Sequence, residues 1–229
     1  MKAAAALAAV DEVASGMVVG LGTGSTAAHA LREIARRLRT GRLDDVAGVP
    51  TSVATDHLAR ELGIPLVEPG AAPIDLAIDG ADEIAPDLAL TKGGGGALLR
   101  EKVIASAAAR FVVISDDSKL VGALGTTFDI PLEVAQFGLG ITVTALQVLG
   151  RPHVRIARDT PVVTDNGNFI VDLAVDPIRD AAAFDRALHM VPGVLATGLF
   201  VGVAAVAYVA GSNGIRRIEA GEPDEGRAR

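Results

Sequence analysis

The chain has 229 residues with 28 acidic side chains against 21 Lys plus Arg, a formal net charge of −7, and no Cys. Half the residues are hydrophobic, yet the aromatics are six Phe, one Tyr and no Trp, so the core must be built from aliphatic side chains around 26 Gly. This composition excludes disorder, a disulfide scaffold and a thiolate centre, and the acidic balance with so few aromatics argues against nucleic-acid partners.

Lys2 precedes the apolar run Ala3 to Val10, which ends at Asp11 and Glu12, so an amphipathic first helix is expected here and not a signal peptide. Met17 to Leu21 reads as a strand, followed by the turn Gly22-Thr23-Gly24-Ser25-Thr26 and a helix from Ala27 to Arg39. Glycines let the backbone approach a ligand, and Ser25 or Thr26 can cap the helix, whose free N–H groups favour a phosphate. The loop departs from both the Walker and the dinucleotide fingerprints. Val49-Pro50-Thr51-Ser52 stands where a ribose-binding acid would be needed. From this loop alone, phosphate binding and an ordinary strand-to-helix turn remain equally open.

Leu76 to Ile78 is a buried strand, and Asp79-Gly80-Ala81-Asp82-Glu83 follows it directly. Carboxylates at a strand end can bind hydroxyls or move protons, and Asp79 is the stronger candidate because Asp82 could equally be a turn or cap residue. Next comes Lys92-Gly93-Gly94-Gly95-Gly96, leading into Ala97-Leu98-Leu99-Arg100-Glu101-Lys102. Four consecutive glycines are entropically costly, so the run is read as a row of backbone N–H groups, with Lys92, facing negative charge. Glu101 falls about one turn into the helix beyond. Phe111 to Ile114 is a further buried strand, and Lys119 lies just past its end, in reach of a phosphate.

Repeated strand, loop and helix through about residue 125 predicts a mostly parallel sheet covered on both faces, with ligands at the carboxyl ends of its strands. Around 130–134 the texture changes. Val162 to Leu173 places Asn166-Gly167 between two apolar runs, a hairpin signal, and a helix is expected over Ile178 to His189. The 26 residues from Met190 to Ile215 carry no charge. Pro192-Gly193, Gly198, Gly202 and Gly211 to Gly214 cut them too short for a membrane helix, so Val194 to Phe200 and Val203 to Val209 are read as buried strands. Arg216 to Arg229 reads mostly as a frayed tail. His29, His57, His153 and His189 show no metal-ligand spacing and form no triad.

The three loops, with Pro131-Leu132-Glu133-Val134 and Val163-Thr164-Asp165-Asn166-Gly167-Asn168, resemble the ribose-5-phosphate isomerase type A family in order along nearly the whole chain. The resemblance implies an α/β fold, with a Rossmann-like, mostly parallel sheet and helices on both faces over 1–129 and 199–229, plus a smaller α+β subdomain over 130–198. It implies an aldose–ketose isomerase acting on D-ribose 5-phosphate and D-ribulose 5-phosphate in the non-oxidative pentose phosphate pathway, cytoplasmic, without metal or organic cofactor, as a homodimer or homotetramer.

Glu101 would be the general base, Asp79 would assist ring opening with Asp82 beside it, and Lys92 with the Gly93, Gly94 and Gly95 amides would stabilise an enediolate. Thr23, Gly24, Ser25, Thr26, Gly80, Ala81 and Lys119 would line the substrate. The absent Cys also fits, because type B isomerases commonly use a cysteine base. Gln136 to Gly150 departs from the family in carrying no basic residue. The alternatives are a non-catalytic sugar-phosphate sensor and a sugar-phosphate deaminase of similar architecture. The retained Glu101, Asp79 and Lys92 speak against the first.

Overall fold

The computed structural model describes residues 1–219. The chain divides into two compact units, one formed by 1–80, 100–119 and 203 onward, the other by 81–99 and 120–202. The smaller subdomain expected over 130–198 lies inside the second unit, which also takes in 81–99, 120–129 and 199–202. The difference comes from the Asp82 to Lys92 segment, whose short strands Glu83–Ile84 and Leu90–Thr91 pair with each other, and the second also with Leu199–Phe200, rather than with the parallel sheet.

The first unit is built on a six-stranded sheet in the order Gly214–Glu219, Val206–Gly211, Phe111–Asp116, Leu76–Gly80, Val18–Leu21, Ala47–Pro50. The last five of these are parallel, and only the Gly214–Glu219 edge strand runs against its neighbour. Strand alternation sorts the side chains. Val19, Leu21, Leu76, Ile78, Val112 and Ile114 face a core that includes Ala5, Ala9, Leu31, Ile34 and Ala59 of the helices Lys2–Val10, Ala27–Arg39 and Val53–Glu61. Gly20 and Ala77 point the other way, and a Cβ on Gly20 would lie 2.6 Å from Ile104 Cγ2 of the helix Leu98–Ala107. Helices therefore cover both faces, as the alternating pattern predicts.

Val18–Leu21 sits between Leu76–Gly80 and Ala47–Pro50, so the chain leaves it toward one neighbour and returns on the other side. This is the switch point at which the carboxyl ends of adjacent strands part and leave a crevice. Gly22 follows one of these strands. Asp79, the last residue but one of the other, comes directly after Ile78, which pairs with Leu21.

In the second unit an antiparallel sheet in the order Val194–Thr197, Ile130–Val134, Phe169–Ala174, Arg151–Val154 packs on the helices Leu139–Leu146 and Ala181–His189. Its core is aliphatic, with Leu132, Val134, Leu146, Val171, Leu173 and Leu188 fully buried. A three-stranded antiparallel sheet of Leu199–Phe200, Leu90–Thr91 and Glu83–Ile84 completes the unit.

Three local expectations are corrected. The run Val194 to Phe200 is two strands in different sheets, because at Gly198 the chain turns where a Cβ would collide with the Lys92 carbonyl and lie 2.7 Å from Pro131 Cδ. At Asn166-Gly167 the turn is present, with Thr164 N–H donating to the Asn168 carbonyl at 2.8 Å. Its first arm makes only an isolated bridge, Val163 to Phe169, since Phe169–Ala174 pairs instead with the strands at 130–134 and 151–154. Finally, Gly214–Glu219 is an edge strand and not frayed chain, anchored by buried Ile218 and by Arg217 donating to the Tyr208 hydroxyl at 3.3 Å. Residues 220–229 of the expected tail lie outside the described residues. No helix among the described residues is long and apolar enough to cross a membrane.

One buried ion network in the first unit predicts a pH effect. Glu33, 8% exposed, accepts from Arg36 Nε and Nη2 and from Arg37 Nε, each at 2.7 Å, while Arg37 also donates to the Val10 carbonyl. The Arg36 hydrogen bonds, helped by Arg37 and opposed by burial, pull the Glu33 carboxyl from its ordinary 4.5 to about 2. A carboxyl whose value is depressed in the folded state contributes stability above its unfolded value, and that contribution is lost as pH falls through the folded one. Glu33→Gln is therefore expected to be less stable than the parent at neutral pH and to lose less between pH 4.5 and 2. Urea midpoints across that range test this; parallel curves for the two proteins would refute it.

Candidate functional site

In the first unit the loop 22–26 is built around Asp79. The Asp79 side chain is 4% exposed, and its Oδ1 accepts from Thr23 N–H at 3.1 Å and Gly80 N–H at 2.7 Å. Gly22 N–H closes the approach by donating to the Ile78 carbonyl at 3.0 Å. A Cβ on Gly22 would lie 2.6 Å from Asp79 Cα, so only glycine lets the two strand ends come this close.

Thr23 commits its hydroxyl as well as its N–H to protein partners. Its Oγ1 lies 2.8 Å from Thr51 Oγ1, 2.8 Å from Ser52 Oγ and 3.1 Å from Thr55 Oγ1. At the position where a dinucleotide site would carry an acid, these hydroxyls tie the loop to the end of the next strand. The capping expectation is corrected: Thr26 occupies the N-cap of the helix Ala27–Arg39 without a side-chain cap bond. A side-chain cap bond is made instead by Ser52, which accepts from Thr55 N–H at the next helix.

Gly24 and Ser25 are exposed, leaving this part of the loop open to a ligand. Lys2 Nζ donates to Ser25 Oγ at 3.2 Å, a contact for which the sequence carries no signal beyond the N-terminal charge. Lys119 lies on the short 3-10 turn Asp117–Lys119, past the carboxyl end of the strand that neighbours Asp79. Asp116, between these elements, is held below the usual carboxylate range chiefly by the Ser118 hydroxyl, with Lys2 and Lys119 adding to the effect. Two lysines therefore put positive charge at the carboxyl edge.

Glu101 is in the first turn of Leu98–Ala107 and is 4% exposed. It precedes Ile104 by three residues and so shares the helix face that lies over Gly20. That helix leads into Phe111–Asp116, parallel to the other strands, and must run back across the sheet. Its first turn is accordingly at the carboxyl edge. Asp79 follows Ala77 by two residues, on the sheet face that Ile104 covers. The first unit thus places Glu101 and Asp79 on one side of the sheet and toward one edge.

In the second unit Asp82 and the glycine run are joined directly, with Gly94 N–H donating to Asp82 Oδ2 at 2.8 Å. Asp82 N–H donates to the Thr91 carbonyl at 2.8 Å, and Lys92 N–H to the Gly198 carbonyl at 2.8 Å. Lys92 is 3% exposed and its Nζ lies 5.4 Å from the centroid of the Phe200 ring, a cation–π distance. Gly94 and Gly95 are exposed, Ala81 is half-buried, and Gly93 is buried.

Glu83 has a different task from its neighbours. Fully buried, its carboxylate accepts from Gly125 N–H, Thr127 N–H and hydroxyl, Phe128 N–H and the Thr91 hydroxyl, at 2.6 to 3.1 Å. It pins the loop 125–128 to the strands Glu83–Ile84 and Leu90–Thr91, which lie between Asp82 and Lys92. Among the described residues no three His, Asp or Glu side chains are grouped to hold a metal ion.

Two carboxylates and the open loop 22–26 at the carboxyl edge of a doubly wound sheet define an α/β protein with the usual place for a small polar ligand. Residues 47–214 match the family Ribose 5-phosphate isomerase A (phosphoriboisomerase A). A ribose-5-phosphate isomerase A from Chloroflexus aurantiacus is 50% identical over 95% of this chain and 92% of its own length. The solved structure of the Methanocaldococcus jannaschii ribose 5-phosphate isomerase A is 40% identical, with a TM-score of 0.91, over 95% of this chain and 97% of that one. A D-ribose-5-phosphate isomerase solved in complex with phospho-erythronic acid is 37% identical, with a TM-score of 0.93, over 95% of this chain and 97% of that one. The chain belongs to the ribose 5-phosphate isomerase A family.

Proposed function

We propose that this protein interconverts D-ribose 5-phosphate and D-ribulose 5-phosphate through an enediolate. The family match along the length of the chain is the observation that carries this reading. The chemistry asks for a base at a weakly acidic C–H and for fixed positive groups where an oxyanion develops; triosephosphate isomerase meets the same demand with a Glu base.

Glu101 is assigned the proton transfer between C2 and C1. Asp79, with Asp82 beside it in sequence, handles the hydroxyl protons and ring opening, which suits a carboxylate fixed by two backbone N–H groups. Lys92 and the Gly93 to Gly95 amides stabilise the enediolate oxygen. The phosphate is assigned to Gly24, Ser25 and Thr26 with Lys119, and the Lys2 contact to Ser25 supports adding Lys2 to that group. Gly80 and Ala81 complete the lining.

The reaction belongs to the non-oxidative pentose phosphate pathway, in the cytoplasm. Assembly into a homodimer or homotetramer is supported by Phe137, Ile141 and Val148, large apolar side chains exposed on and beside the Leu139–Leu146 helix. The test is chelator-treated protein incubated with ribose 5-phosphate, followed by ketose formation. Turnover undiminished by the chelator is expected; none on this substrate would refute the reading.

A further inference from the structure

Arg155 lies just past the strand Arg151–Val154, 62 residues from Gly93 in sequence, and donates from Nη1 to the Gly93 carbonyl at 2.9 Å and to the Gly94 carbonyl at 3.1 Å. Its other side is fixed by Asp172, which accepts from Nε at 2.7 Å and also from Nη2. The pair is largely buried, at 19% and 13% exposure. Both ends of the bridge are anchored in backbone structure. Arg155 N–H donates to the Ile170 carbonyl at 2.8 Å, and Asp172 is in the Phe169–Ala174 strand, between partners on both sides.

A guanidinium has five N–H donors, and the bonds to Asp172, Gly93 and Gly94 engage four of them: one on Nε, two on Nη1 and one on Nη2. With its charge paired to Asp172 and its donors engaged by protein acceptors, Arg155 is poorly placed to be a phosphate ligand. Its hydrogen bonds control a stretch of backbone instead.

We infer that Arg155 is a positioning residue that orients the amides of the tetraglycine loop through the Gly93 and Gly94 carbonyls. In a trans peptide the C=O and N–H point in opposite directions, and the described residues contain no cis peptide. The Gly93–Gly94 peptide is held at both ends, its carbonyl by Arg155 and its N–H by Asp82 at 2.8 Å. The Gly94–Gly95 peptide is held by its carbonyl, which directs the Gly95 N–H away from the guanidinium.

A run of glycines has no side chains to fix its peptide planes, and an oxyanion-stabilising amide is effective only if it is oriented before charge develops. Positive charge on the carbonyl oxygens also polarises both peptides and strengthens their N–H groups as donors. The inference rests on the isomerase reading above, in which the amides of this loop meet the enediolate oxygen; since the Gly94 N–H is taken by Asp82, the amide that Arg155 aims at that oxygen is the Gly95 N–H.

The test compares the parent with Arg155→Met, Arg155→Lys and Asp172→Asn by steady-state kinetics on ribose 5-phosphate. It adds binding of phospho-erythronic acid, whose carboxylate puts negative charge near the place of the enediolate oxygens. Loosening the loop should act on the charged transition state, so Arg155→Met is expected to lower kcat about 10- to 100-fold while KM stays within about threefold.

Affinity for phospho-erythronic acid should fall in step with kcat. Arg155→Lys should fall between Met and the parent, because an ammonium keeps the charge without the planar fork. A folded Arg155→Met with parental kcat, or with a raised KM alone, would overturn the inference. Should that variant fail to fold, Asp172→Asn keeps the guanidinium, loosens its anchor and carries the same two readings. If the parent itself does not turn over ribose 5-phosphate, the isomerase reading fails. The inference is then decided by phospho-erythronic acid binding, supported by weaker binding in Arg155→Met and overturned by equal binding.

Discussion

Replacing Glu101 by glutamine is expected to lower kcat on ribose 5-phosphate by about 10²- to 10⁴-fold, the span for removing a positioned general base. Gln has the same shape and can fill the same buried place, where Glu101 is 4% exposed in the first turn of its helix, so the fold should survive. It cannot accept the C–H proton. Because that proton moves only in the chemical step, KM should change little while kcat and kcat/KM fall together. A folded variant with near-parental turnover would take the proton shuttle away from Glu101. Exchange of the C2 hydrogen with solvent deuterium gives an independent readout and should slow by the same factor.

Lys92→Ala is expected to be the next most damaging change, with kcat lowered about 10²- to 10³-fold, the cost of losing one preorganised oxyanion donor. Lys92 is 3% exposed, and holding an ammonium out of water is costly unless it is offset by nearby groups, here including the face of the Phe200 ring. A charge kept in such a place interacts more strongly with developing anionic character than a solvated one does. The loss should therefore appear in kcat. A rise in KM with kcat unchanged would mean that Lys92 holds the ground-state substrate instead. Thermal unfolding of the variant separates either outcome from simple loss of structure.

These two residues are legible from local sequence. Lys92 adjoins a glycine run whose entropic cost asks for an explanation, and Glu101 is distinguished from a surface Glu only by following that run. Asp79 is legible because a carboxylate directly after a buried strand has no packing reason to be there. Strands, helices and the parallel sheet are legible for the same reason, since period 2 and period 3.6 are properties of neighbouring residues.

What escapes the sequence depends on partners far along the chain. Glu83 adjoins Asp82 and reads as part of one acidic cluster, yet its partners lie in the segment 125–128 and at Thr91. Arg155 has no motif, and the carbonyls it binds are 62 and 61 residues away. Thr51 and Ser52 register in the sequence only as the place where an acid is missing. Their hydroxyls nevertheless anchor Thr23.

Read residue by residue, this is already an acidic, Cys-free α/β chain with chemistry-bearing side chains in three glycine-containing loops, two of them directly after predicted strands. Backbone propensity and residue chemistry act over a few positions, and that much can be read locally. Which strands are neighbours is settled only in three dimensions, and with it the placing of Gly22 against Asp79 at the switch point. Folding also divides Val194 to Phe200 between two sheets and turns Arg155 and Asp172 into a clamp on the glycine loop. Those outcomes are long-range pairings, selected by packing and by the need to satisfy buried polar groups across the whole fold, and no local pattern specifies them.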